Sequence, residues 1–408
     1  MSFRHFCVTA FGAVLISQQL ACDRGSAGET ASLTAIRDSA GVRIVEHSIG
    51  SLPPSAIVNW RIADDVELSI GGQDTDVDED FLYLITGAQL LDDGRIIVGV
   101  GGEFELRLYD SNGRLVRTVG RRGSGPGEFR QISGPWLVDG GRFAVFDQRQ
   151  QRLSVFDTTG VLLGSANMRG EAGMVPARAL DGAPDGRVLI VSDLMSGMQA
   201  GVSRPEITYM LLDTIAAVRL LTSPLLGREM WVGRADAAGR QALGVPPFGR
   251  TSLAKTCGSR VAIAENSSFD IQLLDADGRV QTVIRADAMG EPVTEMHFRE
   301  FLTTQTGGRI PITSEMISSI REMTVHERMP VLGEMYCDPG GNLWIEEFLI
   351  PGKEERRLLS FGVDGQLRGA LELSASSRIA AIVGDRLLLI NRNVEDIESI
   401  ELRAIVMQ

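Results

Sequence analysis

Six times along this chain a turn signal, Asp-Gly-Arg or a close variant, is followed at once by a short apolar run. The sites are Asp93-Gly94-Arg95 before IIVGV, Gly140-Gly141-Arg142 before FAVF, Asp185-Gly186-Arg187 before VLIV, Gly258-Ser259-Arg260 before VAIA, Gly340-Gly341-Asn342 before LWI, and Gly384-Asp385-Arg386 before LLLI. A tight turn and a β-branched strand in every copy point to radial repetition of small antiparallel sheets. Gly-to-Gly spacing is in the forties for three of the five intervals, as a propeller blade requires; the longer Gly186–Gly258 and Gly258–Gly341 intervals hold insertions.

A second signal follows the first. YDSNGRLVRTVG (109–120), FDTTGVLLGS (156–165), LLDTIAAVRLL (211–221), LLDADGRVQTVI (273–284) and SFGVDGQLRGAL (360–371) each place an apolar residue, a turn and another strand. Asp-Gly and Asn-Gly supply the positive φ of a two-residue hairpin, and the flanking alternation fits half-buried strands. The expectation is an all-β, six-bladed β-propeller of four-stranded antiparallel blades, with inner strands near 83–91, 132–138, 177–182, 251–256, 332–337 and 378–383. The last repeat is a strand short, so Ile57 to Ile70 is expected to close the ring, since an open edge at the seam would be a liability.

At 408 residues the chain exceeds the usual single-core limit, but stacked blades escape that limit, so one propeller over 57–408 suffices. Residues 1–22 read as a targeting segment, with Arg4 and His5 basic, Phe6 to Ile16 apolar and QQLA before Cys22. Cys22 after Leu20-Ala21 resembles a bacterial lipobox, which implies lipidation of Cys22. Gln19 stands where that pattern has an aliphatic residue, and simple signal cleavage is the alternative. Residues 23–56 read as a flexible tether and lead-in. The chain is therefore expected outside the cytoplasm, anchored at the envelope membrane or free in the periplasm. Cys257 and Cys337 occupy matching places in adjacent blades; that spacing is expected to exceed the ~7 Å Cα limit of a disulfide, leaving two small buried hydrophobes.

Residues 119–160 carry a family resemblance. VGRRGSGPGEFRQISGPWLVDGGRFAVFDQRQQRLSVFDTTG resembles an NHL repeat: Gly123, Gly125, Pro126, Gly127 and Phe129 fill its glycine-rich opening, and Asp147, Arg152, Leu153, Phe156, Asp157 and Gly160 its second half. With RDSAGVRIVEH (37–47) ahead of the propeller, the chain is similar to exported six-bladed NHL-like bacterial proteins. The resemblance implies a fold and a compartment and no reaction.

The chemical motifs are sparse. GSGPG (123–127) lacks the Lys-Ser/Thr ending of a phosphate loop and reads as a connector between blades. Asp74, Asp76 and Asp78 have calcium-loop spacing, but Glu79 stands at the glycine position and Ile85 at the bidentate carboxylate. His47, His297 and His326 are the histidines left after the targeting segment; none falls on a predicted inner strand, and the latter two read as partly exposed. Ser124 lies in no nucleophile elbow, and Lys255 and Lys353, the only lysines, form no Ser-x-x-Lys motif. With 40 Lys plus Arg against 53 Asp plus Glu, nucleic-acid binding is not expected, and Arg121-Arg122 and Arg356-Arg357 read as solvated turns.

Residues 291–327 change to a helical period, giving a small helical insertion before the fifth blade. Thr294 caps a helix to about Thr304, and Thr313 or Ser314 another to about His326, with Met316, Ile317, Ile320 and Met323 on one stripe. The other insertion, 192–256, carries Met195, Met198, Met210, Met230, Trp231 and Pro246-Pro247-Phe248. The functional expectation is an envelope-associated, non-catalytic binding module for a protein, peptide or glycan on the loop-bearing face. The alternative is a calcium-dependent lactonase-like hydrolase at the central channel, with Asn266 and Asn391 as candidate ligands and calcium as the one cofactor in view.

Overall fold

The computed structural model describes residues 34–50, 57–72, 81–139, 141–167, 177–192, 200–213, 218–234, 242–393 and 397–408. The targeting segment with Cys22, most of the tether, the acidic stretch 73–80, and Met195 and Met198 lie outside these residues.

Six blades, each an antiparallel set of strands built outward from one short inner strand, form the body of the molecule, blades 5 and 6 being joined in one sheet and two small sheets lying in the insertions. The inner strands are Ile85–Leu90, Ile132–Asp139, Ala177–Gly182, Ser252–Cys257, Leu332–Cys337 and Arg378–Val383. Each touches the inner strand of the next blade, and the sixth returns to the first, so the sheets close into a six-bladed propeller. The second strands are apolar on both faces because each is sandwiched between neighbouring blades; Ile96–Val100 is buried throughout. Interblade cores alternate with the blades, as in the cluster of Phe129, Phe143 and Phe156 with Ile97 and Leu106 between blades 1 and 2.

The turns at one end of the blades share a chemistry. Asp110 Oδ1 accepts from the amides of Asn112 and Arg114, Asp157 Oδ1 from Thr159 and Val161, and Asp275 Oδ1 from Asp277 and Arg279, all at 2.9 Å. Gly113 N–H donates to Asp110 O, and Gly113 has φ 78°. This is a type I turn followed by a glycine in the left-handed region, with a bulge in the preceding pair, and not the two-residue hairpin that the sequence suggested. The glycine is needed one position later than in that hairpin.

Blade 6 takes Arg378–Val383, Arg386–Arg392 and Glu398–Met407 from the C-terminal end and its outermost strand, Leu68–Gly71, from the N-terminal end. Closure therefore comes from the expected segment. Asn59–Ile62 adds a second tie, parallel to Leu367–Ser374 of blade 5 and antiparallel to the end of Glu398–Met407.

Residues 34–47, expected as tether, form a hairpin. Thr34–Ser39 pairs with Val42–His47 across Ala40 and Gly41, whose φ values of 52° and 82° make the primed turn that suits hairpin twist. Val42–His47 then lies parallel to Val280–Ala286 and extends blade 4 to six strands. Alternation in VRIVEH drives the docking: Val45 is fully buried, and His47 packs edge-on against Phe361 at 5.4 Å. His47 Nε2–H donates to Gly365 O at 2.9 Å, and burial lowers the imidazole pKa.

Cys257 and Cys337 form a disulfide, contrary to expectation. The inner strands of adjacent blades converge on the channel axis, so their matching ends lie 5.3 Å apart between Cα atoms, well inside the bonding limit.

Candidate functional site

The strand order fixes two unlike faces. The described connections from first to second and from third to fourth strands are short turns, most of them carrying Asp or Gly, and gather on one face; those between second and third strands and between blades emerge on the other. Both long insertions therefore share the second, loop-bearing face.

From blade 3, Gly201–Ser203 pairs with Met230–Val232 of the next connector, and Glu206–Ile207 pairs with Leu225–Leu226. Between blades 4 and 5 stand helices α1, Glu295–Thr306, and α2, Ser314–Glu322, N-capped by Thr294 and Thr313 as expected. His297 is buried, not partly exposed: its Nδ1 accepts from the Thr294 amide at 3.2 Å, completing a capping box. Ile317 is buried, and Met316 and Ile320 pack with it against Phe298, Leu302 and Phe248, so that part of the apolar stripe is internal.

Phe248 ties this layer to the propeller. It has φ 59°, a costly conformation for a bulky side chain, and its ring meets Phe298 at 5.5 Å, Phe301 at 6.0 Å and Phe348 at 6.4 Å. Beneath the helices a cavity of about 670 Å³ opens between Glu229, Phe248, Asn266, Phe301, Met323 and Glu334.

Glu229 is the distinctive side chain of this cavity. It is 4% exposed; its Oε1 accepts from His326 Nε2 at 2.7 Å, and its Oε2 is buried with no hydrogen-bond partner. A buried carboxylate oxygen without a donor costs on the order of 1–3 kcal/mol or more, which a ligand donor would recover. Glu346, also buried in the wall, is matched by Arg356 Nη1 and Tyr336 Oη, both at 3.3 Å; burial raises its pKa even so. Arg356 is thus not a solvated turn residue. It lies in strand Glu355–Phe361, its side chain 12% exposed, and Arg357 pairs with Glu347 at 3.2 Å.

The other sequence candidates are structural. Glu128 accepts from Arg121 Nε and the Gly125 amide, both at 2.8 Å, and Arg152 donates to Ser124 O at 3.0 Å and to Glu128 O, so GSGPG is a clamped blade connector. Asp147 holds the Gln150 amide at 2.9 Å and the Arg130 amide at 2.6 Å. Asn266 spends its amide on Thr251 N–H at 2.9 Å and Gly249 O at 3.3 Å, and Asn391 accepts from Ser377 Oγ at 2.7 Å. Ile85 is core, and Lys353 lies 3.4 Å from Glu291 on the surface. Among the described residues no three His, Cys, Asp or Glu side chains converge as a metal site.

At the turn-face mouth of the channel, a recess of about 420 Å³ contains Asp181, Lys255 and Thr256. These groups satisfy one another: Lys255 Nζ lies 3.0 Å from Asp181 Oδ1, and the Thr256 amide donates to Asp181 Oδ2 at 3.1 Å. The Glu229–His326 contact, by contrast, spans 97 residues of sequence, and neither partner sits in a motif that could have signalled it.

No family model and no curated protein sequence matches the chain. Solved structures do. A DUF4221-family protein from Bacteroides vulgatus superposes with a TM-score of 0.51 at 11% identity, covering 85% of this chain and 98% of that one. A Bacteroides fragilis protein described as exported gives 0.47 at 12% identity, covering 86% and 99%. The β-propeller domain of Myceliophthora thermophila Cps50 gives 0.40 at 11% identity, covering 83% and 100%. At such identities the likeness is one of fold. Among the described residues no helix is long and apolar enough to cross a membrane.

Proposed function

We propose that this chain is an exported NHL-like propeller, tethered to the envelope by a lipid on Cys22, that works as a non-catalytic binding module through its loop-bearing face. Of a protein, peptide or glycan ligand, the roofed cavity favours a protein or peptide that inserts a cationic side chain. The observation that carries this reading is the buried, donorless Oε2 of Glu229 within the wall of an aromatic-lined cavity. A lysine ammonium or arginine guanidinium supplies the missing donor, and Phe248, Phe301 and Phe348 offer faces and edges to its aliphatic stem. The alternative of calcium-dependent lactonase-like hydrolysis calls on Asn266 or Asn391, whose side chains are already engaged with the fold.

The test is a tripeptide array with Lys, Arg, Gln or Glu at the central position, read with the intact protein and with Glu229→Gln. The reading requires retention of Lys or Arg peptides and at least ~10-fold weaker retention by the variant, the loss of one charge-assisted hydrogen bond. Equal retention of Glu peptides, or a Glu229→Gln profile that matches the parent, would sink it.

A further inference from the structure

On the opposite side of the same face, over blades 6, 1 and 2, lies a cleft of about 920 Å³. Among the described residues its wall carries Arg122, Arg130, Arg149, Arg378 and Arg392 against one carboxylate, Glu398. In a chain of net charge −13 this is the reverse of what an average patch would hold. Glu398 is moreover already committed. It is 3% exposed; its Oε2 takes the Ile85 amide at 2.5 Å and its Oε1 takes Arg392 Nη2 at 3.1 Å. Arg378 donates to Ile85 O at 2.7 Å and is 3.9 Å from Glu398. Burial, with a smaller contribution from Arg392, holds the Arg378 guanidinium below its usual pKa despite that carboxylate.

The remaining three guanidinium groups belong to exposed residues and make no ion pair among the described residues. Arg122 rests over the Phe104 ring at 5.3 Å, and Arg130 and Arg149 are exposed and make no ion pair among the described residues. Arg130 and Arg149 also border a recess of about 320 Å³ with Arg152, whose Nε is buried with no hydrogen-bond partner. Asp147 and Arg152 fix the backbone that presents them, so their positions on the cleft rim are set by the fold. Confining like charges costs stability, and planar guanidinium forks match carboxylate, sulfate or phosphate oxygens.

We propose that this cleft is an anion-binding site for a ligand bearing two or more oxyanion groups. Such groups reach a protein as small free anions or as substituents of an acidic saccharide, and the two sources can be separated. Isothermal titration would use citrate, inorganic phosphate and trigalacturonate, with maltotriose as the neutral control, against the full chain and an Arg130→Gln/Arg149→Gln variant. Both positions are exposed, so the variant should melt with the parent; should it not, Arg149→Glu alone serves in its place. The expected result is a Kd below ~1 mM for at least one anion, weakened at least ~10-fold in the variant and progressively by added salt, with no maltotriose binding. Preference for trigalacturonate over citrate and phosphate assigns the saccharide source, and the reverse order assigns the free anion. Weaker binding throughout, or affinity unchanged in the variant, would overturn the proposal. The site is independent of Glu229, so its failure leaves the roofed cavity untouched.

Discussion

Cys257 and Cys337 end the inner strands of blades 4 and 5 and are bonded to each other at a sequence separation of 80. The bond lies at the turn-face ends of these strands, away from the loop-bearing face where the helical insertion leaves and rejoins, so it holds the two blades together independently of that insertion. Closing so long a loop restricts the unfolded chain, and Cys257→Ser/Cys337→Ser should cost about 2–4 kcal/mol. Urea denaturation of parent and variant checks this; the parent in reductant should move toward the variant, and identical midpoints would contradict the bond.

The closing strand should be as costly to damage as any inner one. Ile70 is 3% exposed and packs among Leu82, Ile96, Leu388 and Ile400, joining the N-terminal strand to the C-terminal blade. Ile70→Ala should lower unfolding free energy by about 2–4 kcal/mol in chemical denaturation. A loss under about 0.5 kcal/mol, the size of an ordinary surface substitution, would mean the seam is not held there.

How far the sequence carried depends on the range of the signal. The inner strands, both helix N-caps and the closing segment were legible because Asp-Gly turns, Thr caps and strand alternation act over a few residues. What was missed is non-local. VRIVEH shows its alternation but not that blade 4 receives it in parallel. The two cysteines show equivalent positions but not the convergence of inner strands. Arg378 and Arg392 come from blade 6, and Arg122, Arg130 and Arg149 from blade 2 and its lead-in connector, and the two groups meet only once the ring closes.

His47 should make stability depend on pH in a definite direction. Its folded pKa lies below the ordinary value of 6.5, so the unfolded chain takes up a proton more readily. Stability contributed by neutral His47 is complete above about pH 6.5 and is lost as pH falls from there through the lower folded value. Melting temperatures of the parent and His47→Gln should therefore converge on acidification. A parallel offset at every pH would show that His47 does not titrate with folding.

The proposed lipidation of Cys22 is open to a direct test. Cys22→Ser should abolish metabolic lipid labelling and shift the protein from the membrane to the soluble fraction, since anchoring depends on the acyl chains. Unchanged membrane fractionation would count against it.

The central claim, that the helices roof a binding cavity and are not framework, is tested most directly by replacing residues 291–327 with a short Gly-Ser linker and measuring Lys-peptide binding. Most of the apolar cluster lies within the insertion itself, with Phe248, Phe348 and Ile350 as its main partners outside. Blade stability is a sum of local interfaces that the replacement leaves in place. The account predicts a strand-type circular dichroism spectrum, cooperative unfolding at a lowered midpoint, and loss of peptide binding. A molten variant, or a folded one that binds Lys peptides as tightly as the parent, would contradict it.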